Sequence, residues 1–209
     1  MGNFYVNVTL RGAQQDQIAG HLGGLPCDAY VSPTVGGVTT VCEALCDSQD
    51  DAHIRTFAGA LSERFRCPAL AVLNHDDDVL WYGLYQAGVL DHEYNSAPDF
   101  FEDDLFGLDE DLEADDDGIS VPEGGDAAVL CAAFGPAADP AAVETVLRAL
   151  DDESGYVFAF ERHEALARAL TLPGFVVCSG YRSLERGDFP AGYGEGDFLR
   201  VGSVKGDPR

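Results

Sequence analysis

The chain has 209 residues, 46% of them hydrophobic and 10% aromatic, enough apolar material for a packed core, so disorder throughout is excluded. Asp and Glu number 37 against 12 Lys and Arg, a formal charge of -25. Such a surface repels phosphate backbones and anionic lipid faces, so nucleic acid and membranes are excluded as expected partners, while basic proteins, cationic ligands and divalent metals stay open.

The acidity itself fits a protein kept soluble in a salty medium as well as one presenting an acidic surface to a partner. Residues 1–30 hold no basic segment followed by an apolar run, and no apolar stretch approaches the ~18 residues of a membrane span, so the expected location is cytoplasmic. Six cysteines then read as reduced, mostly buried thiols, and no Cys-x-x-Cys pair marks a zinc site.

In chain order, "FYVNVTL" (Phe4 to Leu10) alternates apolar with polar or small residues and predicts a strand. A short helix follows over "QQDQIAGHL", stopped by Gly23, Gly24 and Pro26. "DAYVSPTVGGVTTVCEAL" predicts two strands joined by a turn between Pro33 and Gly37. From Ser48 to Cys67 the stripe Ile54, Phe57, Ala58, Leu61 and Phe65 predicts the best helix, with Ser48 as cap, Asp50 and Asp51 in its first turn and Pro68 past its end. Three strand-like runs, "ALAVL", "VLWYGLY" and "VLDHEYN", then form a meander with "NHDDD" and "QAG" as hairpin loops.

The first half, residues 1–98, thus reads β-α-β-β-α-β-β-β: an α+β fold with an antiparallel or mixed β-meander sheet and two helices on one face. Residues 99–121 form an acidic loop or linker, with eleven acids between Asp99 and Gly118. Residues 122–209 make a mainly helical second half ending in a strand, packed on the first half as one unit. Its helices lie over "GDAAVLCAAFG", "DPAAVETVLRAL" (Asp139 capping, Pro140 first) and "AFERHEALARALTLP", before a strand over "GFVVCSGYRSL".

Pairing Leu73 with Leu80 and Leu80 with Tyr94 places Ala69, Ala71, Leu73, Leu80, Tyr82, Leu84, Leu90, His92 and Tyr94 on one apolar, core-facing side. Trp81, Tyr85, Asp91 and Glu93 fall on the opposite, mixed side, where aromatic residues commonly anchor an interface. The run His75, Asp76, Asp77 and Asp78 admits two readings. Clustered carboxylates beside a histidine suit a divalent metal and a metal-dependent hydrolase; Asp residues between two strands equally suit a hairpin turn held by local hydrogen bonds.

Other chemistry finds less support. Glu113, Asp115, Asp117 and Gly118 follow EF-hand spacing, but position 12 is Gly124 and the final carboxylate is out of register. Cys178, Ser179 and His163 lack the context of a known nucleophile motif. "GYGEGD" follows no strand and opens no helix, as a phosphate-cradling loop would. No cofactor is expected.

The stretches "NHDDDVLWYGLYQAGVLDHEYNSAPDFF", "PEGGDAAVLCAAFG" and "ERHEALARALTLPGF" with "GYRSLERGDFP" resemble a group of small bacterial proteins described only as hypothetical. The resemblance runs along most of the chain in the same order and implies that the two halves belong together. It carries no activity. The expected function is therefore non-enzymatic: an acidic regulatory protein, immunity- or adaptor-like, engaging a basic protein partner through Trp81, Tyr85, Asp91 and Glu93.

Overall fold

The computed structural model describes residues 2–101, 120–150 and 156–202. Eight strands form one sheet that is antiparallel throughout: β1 (Tyr5–Arg11), β2 (Ala29–Val31), β3 (Val38–Glu43), β4 (Ala69–His75), β5 (Val79–Gln86), β6 (Val89–Asn95), β7 (Glu123–Gly124) and β8 (Leu199–Val201). Their spatial order is β7-β6-β5-β4-β1-β3-β2-β8. With α1 (Gln15–Leu22) between β1 and β2 and α2 (Asp51–Phe65) between β3 and β4, the first half has the predicted β-α-β-β-α-β-β-β order of an α+β fold. The second half adds a strand to each edge, β7 beside β6 and β8 beside β2.

Both faces of this sheet are covered. On one, Val6, Val8 and Leu10 of β1 and Ala69, Ala71 and Leu73 of β4 pack against Ile18 and Leu22 of α1 and Ile54, Ala58 and Leu61 of α2. On the other, Leu70, Val72, Leu80, Tyr82, Leu84 and Tyr94 meet α3 (Ala127–Phe134), α4 (Pro140–Arg148) and α5 (Ala159–Ala169). A third cluster continues this second face towards β2 and β3, where Tyr30 and Cys42 meet Phe175, Val176, Phe198 and, from α6 (Tyr181–Glu185), Tyr181 and Leu184.

The alternation along β1 therefore does not mark a wet side. Asn7 is buried, its Nδ2 donating to the carbonyls of Val176 and Ser179 at 2.9 Å each. Thr9 is buried too, its hydroxyl 2.9 Å from that of Thr40. A polar group taken from water keeps its free energy only if such partners replace the water; the second half supplies them for Asn7, and β3 for Thr9.

The register of β4 against β5 differs from the expected one by a single residue, and that of β6 against β5 by two, Tyr94 lying opposite Tyr82 instead of Leu80. Leu73 pairs with Trp81 and Asn74 with Leu80, because β4 runs on to His75, which pairs with Val79 around a three-residue tip. A slip of one exchanges the faces of a strand. Trp81 and Tyr85 consequently share the α2 side with Leu73, at 9% and 3% exposure, rather than an open face. His92 pairs with Leu84 and Tyr94 with Tyr82, and an irregularity after Leu84 brings Tyr85 opposite Leu90.

Two local expectations change as well. The cap of α2 is Asp50, whose carboxylate accepts the His53 N–H at 2.7 Å; Ser48 lies earlier, in a 3-10 turn over Cys46–Ser48, with its hydroxyl on the Leu45 carbonyl. The strand expected over "GFVVCSGYRSL" is a 3-10 turn, Gly174–Val176, followed by α6, because Cys178 takes a left-handed conformation (φ 57°) that interrupts the extended run. The strand near the end of the second half is β8. The helices over α3 and α4 form as expected, capped by Asp126 and Asp139, each cap contributing about 1 kcal/mol. The acidic stretch and its EF-hand-like spacing fall, for residues 102–119, outside the described residues.

Candidate functional site, an acidic cleft beside Trp81

The start of α2 carries Asp51 and, one helical turn further on, Arg55, and the sheet beneath it carries Trp81 on β5 and Glu93 on β6. The Arg55 guanidinium stacks 4.9 Å from the centre of the Trp81 ring. It also pairs with Asp51 at 2.8 Å and Glu93 at 2.8 Å, and Glu93 accepts the indole N–H of Trp81 at 3.3 Å. Burial alone would lower the pKa of Arg55, but its bonds to the two carboxylates raise it, so this guanidinium stays charged.

These four side chains line a cleft of about 630 Å³, closed by Leu73, Tyr94, Pro98 and, from β7, Glu123. That volume lies within the range of sites that hold small molecules or protruding side chains. The charge balance of the lining is three carboxylates to one guanidinium. Among the described residues no histidine, cysteine or serine lines it.

Gly83 is what lets the aromatic side of the cleft form. A Cβ at this position would lie 2.9 Å from the Trp81 ring and 3.1 Å from the Tyr85 ring, so the two rings lie close over a strand residue without a side chain. Tyr85 is below the cleft in the core, and burial raises the pKa of its hydroxyl while Arg55 opposes the rise.

Of the four interface residues expected from sequence, Trp81 and Glu93 thus meet at one cleft and Tyr85 supports it from within. Asp91 does not join them: it is exposed at the strand irregularity and accepts a hydrogen bond from Gln86 at 2.8 Å. From sequence Asp51 reads only as a first-turn acid of α2, and Arg55 and Glu123 are not among the site candidates. The spacing of Asp51 and Arg55 on one helix face was readable as an ion pair; nothing local connects either to Trp81.

The run His75 to Asp78 does not converge on a common point. Asp76 and Asp77 hold positive φ angles of 49° and 66° at the tip, and the Asp78 N–H closes the turn on the His75 carbonyl at 2.9 Å. Asp77 is buried: one oxygen accepts the backbone and side-chain N–H groups of Asn3 at 2.9 and 3.2 Å, the other the Asn74 amide at 3.1 Å. Asp76 accepts the Gly2 N–H at 3.0 Å, and Nδ1 of His75 bonds Gln49 at 2.6 Å. The carboxylates of Asp76 and Asp77 thus point to different partners, and the tip ties the N-terminal residues and, through the Asp77 carbonyl, the start of α5 to the sheet.

His163 is buried and Nδ1 of its ring lies 2.7 Å from the Tyr5 hydroxyl; burial lowers its pKa to about 4. Partial burial, with Asp77 and Glu164 nearby, pushes the Cys178 thiol up to about 11, away from the reactive thiolate. A different group does gather: Glu43, Cys46 and His53, whose ligand atoms all lie within 4.8 Å of one another, the one such set of three among the described residues. All six cysteines are free.

No family model, no curated protein and no solved structure matches the chain. Among the described residues no helix is long and apolar enough to cross a membrane.

Proposed function

We propose that the protein is a non-enzymatic binding protein of the cytoplasm, regulatory in the manner of an immunity or adaptor protein, whose cleft receives a basic side chain from a protein partner. The observation that carries this reading is the composition of the cleft: an indole ring beside three carboxylates, of which only Asp51 and Glu93 are engaged by Arg55. A cation is attracted to an aromatic face by about 0.5–1 kcal/mol at exposed sites and by more when desolvated. The overall charge of -25 then steers basic partners towards the surface and raises the rate of encounter.

Titration calorimetry with short peptides carrying two arginines tests this directly. Binding is expected for the arginine peptide and not for its glutamate counterpart, and it weakens as salt is raised. Neutralising the cleft by Glu93→Gln with Glu123→Gln should cost at least tenfold in affinity, about 1.4 kcal/mol. Neutralising Asp16 and Glu195, exposed acids away from the cleft lining, should cost far less. Equal losses in the two double variants would reduce the interaction to general charge attraction and defeat the proposal.

A further inference from the structure

We propose that Glu43, Cys46 and His53 form a binding site for one divalent ion of the zinc class. The three residues come from the end of β3, the 3-10 turn after it and the first turn of α2, so neighbouring elements hold them in place. Glu43 is paired into the sheet opposite Ala29, and the Asp50 cap fixes the backbone of His53. Their ligand atoms are a carboxylate oxygen, a sulfur and an imidazole nitrogen, all within 4.8 Å of one another, with Glu43 Oε2 and His53 Nε2 at 3.0 Å. Zinc bonds of about 2.0 Å to nitrogen and oxygen and 2.3 Å to sulfur place tetrahedral ligands roughly 3.3–3.8 Å apart. An ion therefore needs shifts on the order of 1 Å, within reach of side-chain rotation.

The environment favours a cation. Glu43 and Cys46 are each 1% exposed, and a carboxylate removed from water demands compensation. Among the described residues the basic group within 4.0 Å of Glu43 is the imidazole of His53. Glu43 also accepts the Cys46 N–H at 2.8 Å, and Asp47 adds a further negative field at the thiol. A bound ion deprotonates the thiol it coordinates.

On binding, the S–H bond of Cys46 breaks, the sulfur keeps the electron pair and donates it to the metal, and the proton leaves to solvent. His53 binds through Nε2 in its neutral form. The side chain of His53 is 33% exposed, which supplies an access route and leaves a fourth position open to water. Affinity consequently rises with pH. The ion would also pin the turn of α2 that carries Asp51 and Arg55, although the site stands independently of the cleft reading.

The test uses the full chain freed of metal, with Co²⁺ as the spectroscopic probe. The expected result is one equivalent bound with a thiolate-to-cobalt charge-transfer band and intense tetrahedral ligand-field bands, displaced by Zn²⁺. Cys46→Ser should abolish the charge-transfer band, whereas Cys27→Ser and Cys178→Ser retain it. His53→Gln, at a partly exposed position and so expected to fold, should bind at least tenfold more weakly and lose the Zn²⁺-induced rise in melting temperature seen in the parent. No charge-transfer band in the parent, or one that persists in Cys46→Ser or is unweakened in His53→Gln, overturns the site.

Discussion

The Arg55 guanidinium lies over the Trp81 indole at 4.9 Å while Glu93 holds both, by an ion pair to Arg55 and a hydrogen bond from the indole N–H. Helix α2 is joined at one point to the β5–β6 hairpin by this arrangement. Arg55→Gln removes the cation and leaves the ring in place. Because the ion pairs are partly exposed and such pairs contribute about 0–1 kcal/mol, the expected loss of stability by urea denaturation is about 1 kcal/mol. A loss above about 3 kcal/mol would mean that Arg55 holds the core and not merely the cleft wall.

Gly83 gives a sharper test of the same wall. Adding a methyl by Gly83→Ala brings a carbon to 2.9 Å from the far end of the Trp81 ring and close to Tyr85, so one of the rings must move. Overpacking of this kind costs about 1–3 kcal/mol. The variant should therefore be destabilised and show an altered emission spectrum from Trp81, which is the only tryptophan in the chain. An unchanged spectrum with unchanged stability would contradict the packing described.

The register of the meander was the point at which sequence reasoning failed. The order of strands and helices in the first half was legible because alternation along Tyr5–Arg11 and the stripe Ile54, Ala58 and Leu61 are local signals. The faces were not. Pairing Leu73 with Leu80 took "NHDDD" out of the strand, whereas His75 stays in it opposite Val79 and shifts each β4–β5 partner by one. Two buried asparagines, Asn7 and Asn74, made an inner face look wet, since their partners lie more than 70 residues away or across the hairpin tip. Trp81 and Glu93 were identifiable as a pair on one face; the α2 side chains that complete the cleft were not, since only tertiary packing brings them there. Glu43, Cys46 and His53 follow the spacing E-x2-C-x6-H, which a search restricted to cysteine and histidine pairs passes over.

The hairpin tip should behave as a structural clamp. Asp77→Ala leaves the Asn3 N–H without its acceptor and the Asn74 amide with only the Asn3 carbonyl, at a cost of about 1–3 kcal/mol for donors left unpaired. Hydrogen exchange at Asn3 and at the neighbouring residues should accelerate in the variant. Full protection at Asn3 in Asp77→Ala would show that the N-terminal segment is held by something else.

Acid should destabilise the protein through His163. Its pKa is about 4 when folded, against the ordinary 6.5 when unfolded, because burial disfavours the charged ring. Between these values the unfolded chain binds a proton that the folded chain does not, so stability present above about pH 6.5 is lost as pH falls towards 4. The full loss is on the order of 3 kcal/mol for this buried group. His163→Gln should be less stable than the parent at neutral pH, because it disturbs the bond to Tyr5, yet show a flatter dependence over the same window. Parallel curves for parent and variant would assign the acid sensitivity to other groups.

The most direct measurement of the cleft's role is the fluorescence of Trp81 during titration with an arginine peptide. A saturable change in emission is expected at low salt, with a midpoint that moves to at least tenfold higher peptide concentration in the Glu93→Gln, Glu123→Gln double variant. Binding detected by calorimetry without any change at Trp81, or an emission change of equal midpoint in the double variant, would contradict occupation of the cleft by a basic side chain.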